Sequence, residues 1–442
     1  HKKWKVQAMK KLFWGGIHPK GNKSLSRGTG LTPVPAPKEV VLPMFQHIGA
    51  ACTPKVQVGD SVKLGQLVGD GEGLCAPVHA SVSGKVIAIE NRPHTSGREI
   101  LSVVIANDGL DTPDESLTPY GDFRKLTPEE ILHRIHAAGI VGMGGAAFPT
   151  DVKAFSALDK VDYVIINACE CEPYITADDT LLCTWPQEVL TGAEILKFAL
   201  SPTHAVIAIE DNKPEAIAAM QSVCKGSEVE VRVLPTRYPQ GAEKQLVCAV
   251  TGRQVPPGKL PAAAGCAVFN AATAYAVYQA VMEGKPLTQR ILTVTGDGAK
   301  APKNMLVRLG TTFLETIEAA GGMKDTTCKV LSGGPMMGVA QGNLQAPVLK
   351  VTNTILCLTE ANTPAENPVC IRCGKCLTTC PMHLQPLYMY RAVNSGNLSE
   401  LNRLNLMDCM ECGCCSFGCP GKLPLVATFR KGKQMVKEAK KV

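Results

Sequence analysis

Two cysteine runs constrain this chain more than any other feature: Cys370-x2-Cys373-x2-Cys376-x3-Cys380-Pro381 and Cys409-x2-Cys412-x2-Cys415-x3-Cys419-Pro420. Three thiolates at this spacing wrap three corners of a [4Fe–4S] cubane from one loop. The fourth cysteine, launched behind a helix and followed by proline, reaches the neighbouring cluster. One cluster is then expected on Cys370, Cys373, Cys376 and Cys419, the other on Cys409, Cys412, Cys415 and Cys380. Zinc is the competing occupant, but it takes four ligands, typically as two separated Cys-x-x-Cys pairs, and does not call for the third cysteine or the Cys-Pro. Cys414 falls outside the spacing and reads as a bystander.

The chain holds 19 cysteines in 442 residues, so a disulfide framework has to be weighed. The length, the ligand spacing of eight of the cysteines and a start (His1, Lys2, Lys3) without the apolar core of a secretion signal favour metal binding in a reducing compartment. No run of about 18 apolar residues is present, so no membrane-spanning helix is expected. A formal charge of +7 is modest for this length and calls for no nucleic acid.

Residues 1–38 are basic and rich in Pro and Gly and read as an extended arm. Residues 39–110 read as a small β domain, with short strands such as 81–90 and 99–105 between Gly-Asp turns. From about 120 the pattern changes. Thr127-Pro128-Glu129-Glu130 is a capping box with Pro at the first helical position, and Gly139 ends that helix. Apolar strands at 163–167, 204–210 and 228–234 alternate with helical stretches such as 187–200, which argues for a parallel α/β sheet over 120–285. A helix is expected over 268–284. Residues 286–355 read as a smaller α+β unit, with a strand at 291–295 and a helix near 313–320. The cysteine module covers 364–428, with a helical connection between its two runs, and 429–442 read as a basic tail that is either solvated or touches acidic lipid or a partner.

Gly142-Met143-Gly144-Gly145-Ala146-Ala147-Phe148-Pro149-Thr150 formally matches a dinucleotide fingerprint, with Asp162 about 20 residues on. A helix rather than a strand precedes it, which contradicts that assignment and leaves a plain tight loop open. The stretch does resemble the flavin-binding loop of the NADH-oxidising subunit of respiratory complex I and related diaphorases. The shared residues are Gly142, Gly144, Gly145, Phe148, Pro149, Thr150 and Lys153; Met143, Ala147 and Asp151 depart from the family. The resemblance implies FMN cradled by Gly142, Gly144, Gly145, Ala146 and Phe148, with Lys153 supplying charge. Asn167-Ala168-Cys169-Glu170-Cys171-Glu172-Pro173 resembles a second family block at a strand end. It implies Asn167 at the flavin and Glu170 and Glu172 near flavin or nicotinamide, with Cys169 in place of an aspartate. Tyr238-Pro239-Gln240-Gly241-Ala242-Glu243 resembles a third block, implying that Tyr238, Gly241 and Glu243 help hold NAD(H). Asn270 matches one of two family asparagines, and Ala271 replaces the other.

Phe13-Trp14-Gly15-Gly16-Ile17-His18-Pro19, the β domain and the two cysteine runs together resemble the C subunit of the Rnf electron-transport complex over essentially the whole chain. The resemblance implies a multidomain α/β architecture: a barrel-sandwich domain, a Rossmann-like FMN/NADH domain, a β-grasp ligand-binding domain and a helical two-cluster ferredoxin module. It further implies FMN, NAD(H) and two [4Fe–4S] clusters, and the role of NAD(H)-reacting subunit in an ion-translocating ferredoxin:NAD oxidoreductase. The place would be peripheral, on the cytoplasmic face of the membrane, beside a ferredoxin-binding iron–sulfur subunit and membrane subunits. Ala76-Pro77-Val78-His79-Ala80-Ser81 also resembles biotinyl and lipoyl carriers, but no lysine stands at the hairpin tip, so His79 reads as structural. Two other readings stay open: a soluble diaphorase subunit, and a relay adaptor whose flavin site has decayed through the changes at Ala147, Cys169 and Ala271.

Overall fold

The computed structural model describes residues 13–116, 118–360 and 368–439. The basic start at His1–Lys3 and the last lysines, Lys440 and Lys441, lie outside them. Among the described residues, no helix is long and apolar enough to cross a membrane.

The β domain is two antiparallel sheets. One runs Glu39–Pro43, Glu99–Asn107, Gly84–Pro93 and Ser61–Val62 in spatial order, and the other Thr53–Pro54, Leu67–Asp70 and Val78–His79. Val40, Leu42, Val68, Val78, Val103 and Ile105 fill the space between them. The 84–93 strand begins three residues later than its β-branched pattern predicts, because Ser81 leaves the sheet to donate to Leu309 O (2.5 Å). His79 is buried at 4 % exposure, and burial lowers its pKa to about 3. This hairpin therefore presents no free tip.

The central domain has a four-stranded parallel sheet in the order Val229–Leu234, His204–Glu210, Tyr163–Ala168, Cys266–Asn270. The capping box at Thr127 forms as its sequence requires. Residues 266–270, expected in part as helix, are a strand, and the helix is confined to Ala271–Met282. The reason is tertiary: Ala267, Val268 and Phe269 pair with Val164, Ile165 and Ile166 of the neighbouring strand, and all three are buried. Chain order reverses between the Tyr163 and Cys266 strands, the switch point at which open α/β sheets bind ligands.

The third domain is a six-stranded mixed sheet whose two middle strands, Gln289–Thr295 and Thr354–Leu358, are parallel. Its edge strand, Leu31–Pro33, comes from the N-terminal arm and pairs with Asn304–Leu306. The arm is thus stitched in along its described length. Gly16 N donates to Thr379 O (2.9 Å), Ile17 and Tyr238 exchange backbone bonds, and Trp14 stacks on His383 at 5.0 Å. Gly15, at φ 78°, lies so close to the cysteine module that a Cβ would meet Cys380 O at 2.6 Å.

The cysteine module is helical between its two runs, with Pro386–Asn394 and Leu398–Arg403. Residues 429–439 of the stretch expected as a basic tail belong to the helix Leu425–Ala439, which buries Leu425, Phe429, Gly432 and Val436 against Met389, Val393 and Leu406. Its apolar residues recur at helical spacing, and the lysines between them hid the stripe.

Lys23 enters the central domain in a short 3-10 helix and donates to the carbonyls of Glu170 (2.8 Å), Glu172 (3.1 Å) and Ile175 (2.5 Å). It is 7 % exposed. Removing one member of a buried charged network costs about 3–5 kcal/mol. Lys23→Met is therefore expected to lower unfolding stability by about 3 kcal/mol in denaturant titration, and an effect within error of wild type would show that the arm does not brace this loop.

Candidate electron-transfer site

Two cavities in the cysteine module each hold one four-cysteine set of the spacing argument, the first with Cys414 as a fifth cysteine. Cys380, Cys409, Cys412 and Cys415 surround one, with Pro381, Met389 and Phe429. Cys370, Cys373, Cys376 and Cys419 surround the other, with Ile371, Leu387 and Pro420. The fourth cysteine of each run crosses to the other's cavity. No three of these eight thiols lie mutually within 4.8 Å. That is too open for a single zinc ion and suits a cubane, whose corners hold the thiolates apart. The donor chemistry and the two separate cavities fit two [4Fe–4S] clusters.

Cys414 is no bystander. It is fully buried and lines the same cavity as Cys412 and Cys415, where its thiol holds the Cys412 pKa down. Groups packed against ligand sulfur, and the solvent they exclude, tune cluster potentials.

At the switch point the sequence-predicted flavin residues come together. Gly144, Gly145 and Ala146 are exposed. Gly145 has φ 131° with open space where a side chain would sit, and a Cβ on Gly144 would approach Asn270 to 3.2 Å. The loop is closed by Gly142 N donating to Phe148 O (2.8 Å) and held from behind by Met143 N on Thr273 Oγ1 (2.9 Å). Asn167 and Asn270 are register partners at the ends of adjacent strands. Asn167 Nδ2 donates to Gly241 O (2.8 Å), and Asn270 Nδ2 to Asp178 Oδ2 (2.7 Å). Lys153 pairs with Glu243 and lies 5.7 Å from the centre of the Phe269 ring. A bare glycine backbone, two strand-end amides and a half-exposed lysine make a cradle that fits the phosphate and ring of a flavin nucleotide.

Three expected residues face elsewhere. Tyr238 is 2 % exposed and donates its hydroxyl to Cys412 O (2.8 Å), so the phenol expected at the dinucleotide is committed to a cluster loop. Glu172 accepts from Met336 N (3.2 Å) and Met337 N (3.0 Å) of the third domain. Glu170 lies beneath the cradle, 3.8 Å from Lys23, and accepts from Asp178 N (2.8 Å). Burial raises both carboxyls to about 7, with the Lys23 charge opposing the shift at Glu170 and the two backbone bonds opposing it at Glu172.

Sequence reasoning missed Lys23 and Asp178. Asp178 was findable as an acid in the first turn of the helix after the second block, whereas nothing local marks a lysine in a basic arm as buried. Asp162 pairs with Arg253 (2.6 Å) at the opposite end of its strand from Asn167, which removes the fingerprint reading. Of the substituted positions, Cys169 turns its thiol onto Ala208 O (3.4 Å) inside the sheet, and Ala271 is buried where Asn270 caps the helix.

The chain matches four families: the RnfC barrel sandwich hybrid domain over residues 11–110, the Nuo51 FMN-binding domain over 135–279, the SLBB domain over 291–340 and a 4Fe-4S dicluster domain over 365–420. It is 47 % identical over 430 residues to the C subunit of the Na(+)-translocating ferredoxin:NAD(+) oxidoreductase complex of Acetobacterium woodii, covering 96 % of this chain and 97 % of that one. The C subunit of the proton-translocating ferredoxin:NAD(+) oxidoreductase complex of Clostridium ljungdahlii is 45 % identical, covering 86 % and 83 %. The C subunit of the ion-translocating oxidoreductase complex of Pasteurella multocida is 41 % identical over 96 % of this chain but 52 % of its own length. Among solved structures, an NAD+-reducing [NiFe]-hydrogenase in the H2-reduced state aligns with TM-score 0.51 at 19 % identity, over 72 % of this chain and 65 % of that one, a likeness of fold.

Because protonated Glu172 is favoured in the folded chain, folding takes up a proton between about pH 4.5 and 7. Its contribution to stability is full below that window and is lost as pH rises through 7. Glu172→Gln is therefore expected to flatten the fall of the unfolding midpoint between pH 5 and 8, measured by thermal melts. An unchanged slope would place the titration elsewhere.

Proposed function

The chain belongs to the family of C subunits of ion-translocating ferredoxin:NAD(+) oxidoreductase complexes, and on that premise we propose that its central domain exchanges hydride with NAD(H) through FMN held at the switch point. Bound there, FMN supplies the conversion between a two-electron hydride and the single electrons that an iron–sulfur cluster carries. The observation that carries the reading is the convergence of Gly144, Gly145, Lys153, Asn167 and Asn270 at one strand end, in a domain whose Tyr238 bonds to a loop of a cysteine quartet.

The chain's own residues divide the work. Gly142–Ala146 present backbone to the phosphate and ring, Lys153 offers positive charge balanced by Glu243, and the Asn167 and Asn270 amides fix ring orientation. Glu243, partly exposed at a helix start, is the acid left facing the nicotinamide side. Tyr238 and Glu172 act as struts, which revises the roles the resemblance gave them. Parallel middle strands flanked by antiparallel ones support the β-grasp label for the third domain, and helices between parallel strands support the Rossmann-like label.

The two quartets differ in setting. Cys380, Cys409, Cys412 and Cys415 face inward: Gln245 of the central domain donates to Pro381 O (3.1 Å), and Met336 O lies 3.1 Å from where a Cβ on Gly413 would stand. Cys370, Cys373, Cys376 and Cys419 face outward beside Val369 and Ile371, which are 67 % and 65 % exposed. The inner quartet is therefore the one addressed from the flavin domain. The outer one is presented to a one-electron partner, for which we propose a ferredoxin-like iron–sulfur subunit of the same complex. With no span among the described residues, we place the chain peripherally on the cytoplasmic face, where NAD(H) is found, with membrane subunits carrying the ion.

Anaerobically purified protein is expected to release FMN on denaturation and to lose its broad cluster absorbance on addition of NADH. Clusters without flavin, and no bleaching, would instead support a relay adaptor. Lys153→Ala is expected to lower flavin occupancy at least tenfold while iron content stays at wild type. Ile371→Glu is expected to leave bleaching by NADH intact and to slow electron delivery to the partner subunit. Equal losses in both assays would move the docking face elsewhere.

A further inference from the structure

His47, Cys52 and Cys75 form a second, unrelated constellation in the β domain. All three are buried, and their ligand atoms lie within 4.8 Å of one another. His47 Nε2 is 3.7 Å from each sulfur, and the sulfurs are 3.2 Å apart. A tetrahedral ion with sulfur at ~2.3 Å and imidazole nitrogen at ~2.05 Å separates such atoms by about 3.5 Å (S···N) and about 3.75 Å (S···S). The triad meets the first spacing and needs its sulfurs to part by about half an ångström for the second. A disulfide would need them to close by more than 1 Å, to about 2.05 Å.

The surroundings are those of a ligand set. His47 Nδ1 lies 3.2 Å from Ile48 O, which fixes its hydrogen on that nitrogen and leaves Nε2 unprotonated, with its one lone pair accepting from Ala76 N (3.1 Å). A backbone acceptor on the far nitrogen is the usual orienting partner of a metal-bound histidine. Cys52 is pushed up to about 12 by burial, with hydrogen bonding to Cys75 adding and the Lys350 charge opposing. A bound cation is what would let these thiols ionise in an apolar interior.

We propose that His47, Cys52 and Cys75 bind one thiophilic d10 cation, Zn2+ or Cu+. Two S–M bonds and one N–M bond form, the Ala76 N–H···Nε2 hydrogen bond breaks to free the nitrogen lone pair, and the two thiol protons leave to solvent. The site sits behind the flavin cradle. Ile48, next to His47, donates to Ala147 O of the glycine loop (3.1 Å), and Lys350 bridges Pro77 O (2.5 Å) of the β domain to Gly139 O (2.7 Å) of the central domain. The ion would thus brace the loop from outside the electron path.

The test uses the full-length, cluster-loaded protein, reduced and incubated with one equivalent of Zn2+ or, in a parallel sample, Cu+, then desalted. Elemental analysis should find one such ion per chain beyond iron, and X-ray absorption at that metal's edge a shell of two sulfurs and one nitrogen. A light fourth ligand would mark Zn2+, and three-coordination Cu+. A Cys52→Ser/Cys75→Ser variant should lose the ion while keeping wild-type iron. An all-sulfur shell, which would place the ion in the cluster cavities, overturns the proposal. So does the absence of a retained ion, or a Cys52–Cys75 disulfide found by mass spectrometry of unreduced protein. The absorption measurement is made on wild type, so it decides even if the variant fails to fold.

Discussion

The ammonium of Lys23 has left water, and satisfying it organises the loop on which the flavin cradle depends. An unpaired buried charge is costly, and the chain meets that cost by turning three carbonyls of the 170–175 segment toward one nitrogen. That segment cannot then relax into an ordinary strand-to-helix turn. Glu170 is drawn beneath the cradle and Glu172 is thrown outward to the third domain. The arm that delivers Lys23 continues as the edge strand of the third domain's sheet and, upstream, lies against Cys380. One polypeptide segment therefore fixes three domains around the switch point.

Electron transfer over a useful distance requires that the flavin domain and the inner quartet be held as one body, and the contacts that hold them are polar and specific. Tyr238 and Gln245 both give their donors to backbone carbonyls in or beside the cysteine runs. Such bonds are worth little individually, but leaving either acceptor buried and unpaired would cost more than making it. This explains why residues that resemble nucleotide contacts serve as struts here: the second cluster motif brings a loop against the very face where Tyr238 lies. Lys350 plays a comparable part at the other side of the molecule, where it joins carbonyls of the β and central domains from the third.

The cysteine quartets, the capping box at Thr127, the parallel strands and the glycine loop were legible because each is written in a local spacing that only one local structure satisfies. The strand Cys266–Asn270 was not. A short apolar run reads as either strand or helix until its neighbours are known, and burial beside the Tyr163 strand decides it. The helix Leu425–Ala439 was hidden by its charge, since lysines on its outer face mask an apolar stripe every third or fourth residue. Cys414 escapes the motif because spacing counts ligands and not the groups that line the cavity beside them.

By itself the sequence determined which cysteines line a common cavity, that a flavin-type loop precedes an α/β sheet, and which family the chain resembles. These depend on residues close together along the chain or on motifs of fixed spacing. Only the tertiary structure decided where long side chains end. Lys23, Glu172 and Tyr238 each reach across a domain boundary to a backbone group more than 140 positions away. His47, Cys52 and Cys75 meet because two antiparallel sheets fold over one another. Periodicity carries no information about such meetings, because a buried polar group is satisfied by whichever partner the packing of whole domains puts within about 3 Å.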